Sequence, residues 1–279
     1  MAKKMKICLD AGHNGSYNQS PVVPEYYESR MNWKLHELLK AELESYGIEV
    51  ITTRPTLESI VGNGDTKNGL SLRGKSAKGC DLFLSLHSDA CGTESVDRPT
   101  AYCTISGELN ALGQKIADAV HEVMGTKQAG EIRNKKGNGG DYYGVLRGAA
   151  SVGVPGILME HSFHTNARSA QWLLDDSNLK KLAEAEARVI AEHFGIMETA
   201  PDSSAKAPQT TPESFLVKVT CAALNVRSGA GLHHPVQQVV KRGEVFTIVE
   251  VVTVAGAAWG RLKSGAGWIN ITMPYCKRV

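Results

Sequence analysis

A change of hydrophobic period divides this 279-residue chain and limits the folds that it can adopt. Before residue 197, short apolar runs of strand length alternate with stretches whose apolar residues recur every three or four positions. After residue 214, only short β-branched or aromatic runs remain, separated by glycine-containing turns. The segment between them, METAPDSSAKAPQTTPES, is rich in Pro, Ser, Thr and Ala and has no apolar period. We therefore predict two domains, 1–196 and 215–279, joined by a linker over 197–214.

The first domain is predicted to be an α/β protein with an open, mostly parallel sheet flanked by helices, because strand and helix patterns alternate along it. The predicted strands are 6–10, 48–53, 81–87 and 156–160, and the predicted helices are 31–46, 109–124 and 179–194. The second domain is predicted to be a small all-β barrel. Its strand-like runs are 217–220, 224–227, 246–252, 259–262 and 267–269.

Bulk features exclude several classes of protein. No run of about 18 apolar residues occurs, so no membrane span is expected. The basic start MAKKMK leads into only three apolar residues before Asp10, too few for a secretory signal, so synthesis in a bacterial cytoplasm is expected. The six cysteines show no C-x-x-C pair, which is typical of reduced, mostly buried thiols. A metal site would therefore use histidine and carboxylate ligands.

The net charge of +2 is unevenly divided. From Pro201 onward there are nine Lys and Arg against four Asp and Glu, whereas the preceding part has 22 against 25. A basic module attached to a mildly acidic one indicates an immobile anionic target, either nucleic acid or an anionic cell wall. The alternative is that a small surplus of positive charge serves only solubility.

Four polar residues stand where predicted strands end or where a helix is about to begin. They are His13 in LDAGHNG, Glu28 in YYESRMN, His87 in LFLSLHSDA and Glu160 in GILMEHSFHTN. Ligands bind outside the carboxyl ends of strands in open α/β sheets, so one sheet edge can bring these residues together. Two imidazoles and a carboxylate would leave a zinc ion with an open position for water, and a further carboxylate can take that water's proton. The pattern predicts a metallohydrolase site.

Each of these residues also has an ordinary explanation. A lone loop histidine is more often a surface or capping residue, and a glutamate near a helix start more often answers the helix dipole. Asn32 lies one helical turn after Glu28, where it can hydrogen-bond a neighbour of the metal site. Four such residues at compatible places favour the site over four separate coincidences.

The segments DAGHNG, E-x-x-x-N at 28–32, SLHSDA and VLRGAASVGVPGILMEHSFHTN resemble, in the family's order, zinc-dependent N-acetylmuramoyl-L-alanine amidases of the type 3 class. The resemblance covers about residues 5–196. It implies that His13, Glu28 and His87 hold one Zn²⁺ ion and that Glu160 is the catalytic carboxylate. It also implies a substrate, the amide that joins N-acetylmuramic acid to L-alanine in peptidoglycan. Two departures concern the substrate groove: Asn14 stands where a second glycine is frequent, and His161 where a small or apolar residue is common.

Neighbouring residues have open roles. His161 and His164 lie close enough to Glu160 in sequence to relay a proton or contact substrate, or else they hydrogen-bond the local turn, and His161 is the stronger functional candidate. Arg73 matches an arginine that the family carries on the helix before the SLH strand, where a salt bridge within the fold is the first expectation and substrate binding the second. Arg147 and Tyr143 can line the groove or occupy an ordinary loop.

The segment 216–279 resembles bacterial SH3 domains through LNVRSGAG, GEVFTIVE and WGRLKSGAGWI. Such modules usually bind the cell wall, which raises the local concentration of the attached enzyme on an insoluble substrate. Arg227, Trp259 and Trp268 are the candidate wall contacts, although tryptophans in a small barrel also serve its own core. The expected partners are peptidoglycan and anionic wall polymers, with neither nucleic acid nor membrane insertion.

The function expected from sequence is therefore cleavage of the muramoyl–L-alanine amide by zinc-activated water, with the C-terminal domain holding the enzyme on the wall. The absence of a secretory pattern favours a phage endolysin over a host sporulation or autolytic amidase. A zinc peptidase or deacetylase acting on another wall bond is the chemical alternative. A catalytically inactive wall-binding protein is a third possibility, and the complete set of four site residues argues against it.

Overall fold

The computed structural model describes residues 4–196, 214–231, 236–254 and 257–279. Apart from Ser214, the predicted linker 197–214 lies outside these residues. The chain divides into two compact units, Met1–Ala200 and Pro201–Val279.

Strands and helices alternate in the first unit. In chain order they are β1 (Lys6–Ala11), α1 (Glu28–Ser45), β2 (Glu49–Thr52), α2 (Lys67–Lys75), β3 (Leu82–Asp89), β4 (Thr100–Cys103), α3 (Asn110–Met124), β5 (Glu131–Arg133), β6 (Lys136–Gly137), β7 (Gly140–Asp141), α4 (Gly144–Ala150), β8 (Gly156–Phe163), α5 (Ala167–Leu173) and α6 (Asp176–His193).

Six strands form the main sheet, in the order β2-β1-β3-β8-β4-β5. The first four run parallel to one another, β4 runs antiparallel to β8, and β5 runs parallel to β4. The prediction of a parallel-rich α/β sheet flanked by helices is confirmed. The reversed pair, β4 and β5, was not predicted, because strands of four and three residues carry too few apolar side chains to show a period.

Side chains alternate between the two faces of this sheet and build one core on each face. Along β3, Leu82, Leu84 and Leu86 pack in a cluster with residues of α1, α3 and α6. Phe83, on the opposite face, packs in a second cluster that includes residues of α4. The carboxyl ends of the central strands are thus held between two packed layers of helices.

Helix α1 begins earlier than predicted. Its first residue is Glu28 rather than Met31, and Tyr27 stands at the N-cap with an extended backbone. The far end agrees with the prediction, since Gly47 follows the helix with a φ of 78°, a conformation that favours glycine. The earlier start places the Glu28 carboxylate at the positive end of the helix dipole.

The second unit is all-β, as predicted. Its strands are β9 (Phe215–Val219), β10 (Ala223–Arg227), β11 (Val236–Lys241), β12 (Val245–Val254), β13 (Ala257–Leu262), β14 (Trp268–Asn270) and β15 (Cys276–Arg278). They form one antiparallel seven-stranded sheet, in the order β11-β10-β14-β13-β12-β9-β15. The sequence did not predict β11 and β15. Within the described residues, no helix combines the length and apolar content needed to cross a membrane.

A buried ion pair ties β1 to α2. Nη2 of Arg73 donates to Oδ2 of Asp10 at 2.6 Å and Nε donates to Oδ1 at 3.0 Å. The hydroxyls of Thr53 and Ser85 also donate to this carboxylate. Side chains of α2 and β3 therefore both contact the negative charge that β1 carries at Asp10. Burial would raise the pKa of Asp10, but the Arg73 guanidinium and the two hydroxyl donors lower it to about 2.

We predict that Asp10→Asn lowers the free energy of unfolding by about 2 kcal/mol at neutral pH, because the folded state gains from an ionised carboxyl. This advantage is fully present above the unfolded pKa near 4 and is lost as pH falls through about 2. Urea denaturation between pH 6 and 2.5 should show wild type and variant converging. Glu49→Gln, at an exposed pair with Lys6, is the control and should change little. A pH-independent gap for Asp10→Asn would contradict the assignment.

Candidate active site

Three side chains converge beyond the carboxyl end of β1. Potential ligand atoms of His13, Glu28 and His87 all lie within 4.8 Å of one another. Oε2 of Glu28 lies 3.3 Å from Nε2 of His13, and Oε1 accepts a hydrogen bond at 2.9 Å from Nδ1 of His87. Two imidazoles and a carboxylate at this spacing are a donor set that could hold one divalent metal ion.

Three groups fix the orientation of the Glu28 carboxylate. The side-chain amide of Asn18 donates to Oε2 at 2.6 Å, and the backbone N–H of Ser88 donates to Oε1 at 3.2 Å. Asn32, one turn along α1, donates to Oε1 at 3.4 Å and to the carbonyl of Gly12 at 3.3 Å. Burial would raise the pKa of Glu28, but the hydrogen bonds from His13 and His87 hold it well below its usual range. The carboxyl is therefore ionised, as a metal ligand must be.

Asp65 holds the ring of His13 from the other side. Nδ1 of His13 donates to Oδ2 of Asp65 at 2.5 Å, which leaves Nε2 for the cluster. Burial would lower the pKa of His13, but hydrogen bonds to Asp65 and Glu28 raise it to about 9. The carboxylates of Asp65 and Glu28 therefore stabilise a positive charge at this ring. A bound metal cation can supply that charge in place of the second ring proton. The other oxygen of Asp65 accepts from Nη1 of Arg73 at 2.9 Å.

His87 packs directly against the backbone of Gly12. A Cβ atom at Gly12 would lie 2.3 Å from Cε1 of the His87 ring, which is closer than real contacts allow. Burial lowers the pKa of His87. The ring is thus confined between Gly12 and Glu28, and its burial favours the neutral form that ligates metals.

Glu160 stands beside His87, because these two residues are directly paired between β3 and β8. It is 6% exposed, and its Oε2 atom is buried without a hydrogen-bond partner among the described residues. Burial first, and then the charges of Glu28 and Asp89, raise the pKa of Glu160 well above its usual range. Its surroundings therefore favour the protonated form of this carboxyl more than those of an exposed glutamate do.

These four residues share one cavity of about 260 Å³. Its lining is His13, Asn18, Glu28, Leu70, His87, Ser88, Asp89, Ala90, Tyr143, Gly144, Val145, Leu158, Glu160 and His164. Sequence reasoning missed Asn18, Ser88, Asp89 and the more distant Asp65. Asp89 did carry a signal, since it lies two residues after His87 and shares its strand face. Asp65 carried none, because it lies in a loop without any period.

Of the sequence candidates for contact with substrate, Tyr143 and His164 line this cavity, whereas Arg73, Arg147 and His161 do not. Arg73 is 3% exposed and donates to Asp10 and Asp65, so its guanidinium serves the interior of the fold. Nη1 of Arg147 donates to the carbonyls of Asp141 and Tyr142 at 2.6 and 2.7 Å. Neither guanidinium is thus placed to bind substrate in the cavity.

His161 is fully buried on the opposite face of β8 from Glu160. Its Nε2 atom lies 2.7 Å from Oε1 of Glu186 on α6, and its Nδ1 atom lies 2.9 Å from the carbonyl oxygen of His87. Both ring nitrogens are therefore engaged away from the cavity. His161 is therefore placed to support the backbone of His87 and not, as expected from sequence, to contact substrate.

The three candidate wall contacts differ in burial. Trp259 is 2% exposed, so its ring belongs to the interior of the second unit and is not available to a ligand. Arg227 and Trp268 are partly exposed and face each other across β10 and β14. Arg227 and Trp268 therefore remain the candidate wall contacts.

The first unit is thus an α/β protein with a candidate metal centre and a buried carboxyl in one cleft. The chain belongs to the Amidase_3 family, described as N-acetylmuramoyl-L-alanine amidase, whose model matches residues 7–192. Peptidoglycan is the substrate that this membership implies.

The chain also resembles individual proteins. It is 28% identical over 269 residues to an endolysin of Bacillus phage SPP1, and the match covers 93% of each chain. Among solved structures, it resembles AmiC2 of Nostoc punctiforme, an N-acetylmuramoyl-L-alanine amidase, with a TM-score of 0.57 and 20% identity over 70% of this chain and 99% of that one. It also resembles Cwp6 from Clostridium difficile, with a TM-score of 0.56 and 22% identity, but covers only 30% of that longer chain. At these identities the structural matches show the fold.

We predict that Gly12→Ala weakens divalent metal binding about tenfold or more, because the new methyl group displaces the His87 ring from Glu28. Calorimetric titration with Zn²⁺ measures this affinity. Gly92→Ala is the matched control, since a Cβ atom at Gly92 meets nothing within 4 Å. Equal affinities of the two variants would show that the packing of His87 on Gly12 is not required.

Proposed function

We propose that the chain is a zinc-dependent N-acetylmuramoyl-L-alanine amidase that acts as a phage endolysin. The observation that carries the proposal is the Glu160 carboxyl, whose unpartnered oxygen is buried beside the cluster of His13, Glu28 and His87. Similarity to the SPP1 endolysin along nearly the whole chain supports the biological role.

The donor set fits zinc. Two imidazoles and one carboxylate suit zinc better than magnesium or calcium, which prefer oxygen ligands. His13, Glu28 and His87 would hold the ion, and Asp65 would orient His13 by accepting from its Nδ1–H. When bound, zinc supplies Lewis acidity, which makes a water molecule easier to deprotonate and polarises the substrate carbonyl.

Glu160 performs the proton transfers. As a carboxylate it accepts a proton from the attacking water, and as a carboxylic acid it donates that proton to the departing amine of L-alanine. Its buried position beside Glu28 and Asp89 favours the protonated form, so the proton is retained between the two steps. The carboxyl lies in the cavity, and no described residue hydrogen-bonds its Oε2 atom, which leaves that atom for water or substrate.

We propose further that the second unit is an SH3-like module that binds the cell wall. Its seven antiparallel strands surround a core of its own, and its sequence carries the excess of basic residues. Binding to an insoluble wall would keep the enzyme at a high effective concentration near its substrate. Arg227 and Trp268 are the proposed contacts.

We predict that Glu160→Ala retains zinc but loses at least about 100-fold in turnover, because the proton acceptor is removed while the ligands remain. His13→Ala should instead lose zinc, since one of three protein ligands is gone. Elemental analysis and the release of amino groups from purified walls measure the two properties on the same samples. Near-normal turnover of Glu160→Ala would reject Glu160 as the base, and a full zinc complement in His13→Ala would reject that ligand.

In the inactive Glu160→Ala background, we predict that Arg227→Ala weakens co-sedimentation with purified walls more than Lys263→Ala does. Both changes remove one positive charge, and the exposed Lys263 is not one of the paired residues of β10 and β14. A general charge effect would lower binding equally for both variants. Equal losses would therefore contradict a specific wall contact at Arg227.

A further inference from the structure

His164 lines the active-site cavity although its role is open. It directly follows β8, is only 3% exposed, and has a fixed backbone. Its N–H donates to the carbonyl of Asp89 at 2.9 Å, and its own carbonyl accepts from the hydroxyl of Ser20 at 2.6 Å. The ring therefore occupies a set position in the wall of the cavity that contains Glu160.

The tautomer of His164 follows from the contacts of Nδ1. This atom lies 3.0 Å from the backbone carbonyl oxygen of Ser88 and 2.9 Å from its hydroxyl. A carbonyl oxygen can only accept, so Nδ1 carries the proton and donates it. The ring also stacks on Tyr26, with centroids 5.8 Å apart, and the Tyr26 hydroxyl lies 2.7 Å from that of Ser88. The hydrogen bond of Nδ1 is thus made within the protein, and this atom is not available to a ligand.

The other nitrogen, Nε2, has no hydrogen-bond partner among the described residues. With the proton on Nδ1, Nε2 of a neutral ring presents a lone pair and can only accept. Burial lowers the pKa of His164, which agrees with a neutral ring. An acceptor in the wall of the cavity that no described protein group satisfies is available to a bound molecule.

We propose that His164 is a substrate-binding residue whose Nε2 accepts a hydrogen bond from an N–H or O–H donor of the bound muramoyl peptide. This inference rests on the proposed amidase function, since it concerns the same cavity. The substrate carries such donors on both sides of the scissile bond, as peptide N–H groups and as sugar N–H and hydroxyl groups. The carbonyl oxygens of the substrate cannot donate a hydrogen bond to Nε2. His164 therefore favours binding modes in which an N–H or O–H group of the substrate faces its ring.

A purely structural role is the competing explanation. In that case the Nδ1–H bond to Ser88 would matter, because Ser88 directly follows His87 and donates to Glu28. The two roles use different nitrogens, so two amide substitutions separate them. The side-chain N–H of asparagine can replace the Nδ1 donor, whereas the longer glutamine places an oxygen acceptor near the position of Nε2.

The experiment uses His164→Asn and His164→Gln in the full zinc-loaded chain. For His164→Asn we expect unchanged zinc content and thermal midpoint, but a loss of about tenfold in kcat/KM, the equivalent of one hydrogen bond. His164→Gln should restore kcat/KM to within about threefold of wild type. His121→Asn, at a histidine on α3 outside the cavity lining, controls for histidine removal and should match wild type.

The reverse pattern, with asparagine active and glutamine inactive, would assign His164 a structural role and overturn the proposal. Full activity of both variants would overturn it too.

If both variants lose activity, a binding measurement distinguishes the two roles. It compares the affinity for N-acetylmuramoyl-L-alanyl-D-isoglutamine of Glu160→Ala chains with and without His164→Asn. A loss of about tenfold on adding His164→Asn supports the contact, and an unchanged Kd rejects it. Methylation of the peptide nitrogen after L-alanine then distinguishes a peptide donor, whose effect disappears, from a sugar donor.

The same assay separates this inference from the proposed function. If wild type releases no L-alanine amino groups from walls, the amidase assignment fails and the His164 proposal fails with it. If wild type releases them and His164→Asn does so equally well, only the role of His164 is rejected.

Discussion

The pairing of β3 with β8 holds His87 directly beside Glu160, and the chemistry of the cavity depends on that register. Side chains alternate along a strand, so a shift of one residue would turn Glu160 away from the cavity and bring His161 into it. The structure prevents this shift from both faces. On one face, Leu82, Leu84 and Leu86 are packed among α1, α3 and α6, and His161 contacts Glu186 on α6. On the other face, Phe83 and Leu158 pack in the cluster that includes residues of α4. The interior of the fold thus sets the distance between a proposed metal ligand and the proposed base.

A series of charged side chains connects this register to His13, the third residue of the candidate metal site. His13 contacts Asp65, Asp65 contacts Arg73, and Arg73 pairs with Asp10 on β1. Each link is wholly or partly buried, where charge interactions are stronger than in water and unpaired charges are costly. The orientation of His13 is therefore coupled to the stability of the sheet, and Arg73 of α2 contributes to the site without itself lining the cavity.

The sequence predicted the features that have a strong local pattern. The parallel core strands followed from short apolar runs, and the long helices from apolar residues that recur every three or four positions. The convergence of His13, Glu28, His87 and Glu160 followed from their places after strands or before a helix and from the resemblance to the amidases. The reversed strands β4 and β5 did not, because they are too short to show alternation. Asp65 joined the site through a tertiary contact 52 residues from His13, which no spacing rule predicts.

Side-chain direction was predictable only in part. His161 follows Glu160 on an extended strand, so alternation alone places it on the other face, and its burial agrees. The burial of Trp259 and the backbone contacts of Arg147 depend on packing that a single sequence does not reveal.

End-group analysis of purified cell walls digested by the full chain tests the central claim most directly. We predict new amino groups on L-alanine, in equal number to new free lactyl carboxyl groups on muramic acid, and no new reducing sugars. These products should depend on added zinc in metal-stripped enzyme. New reducing ends, amino groups on any other residue, or released acetate would contradict it, since they indicate a glycosidase, a peptidase or a deacetylase.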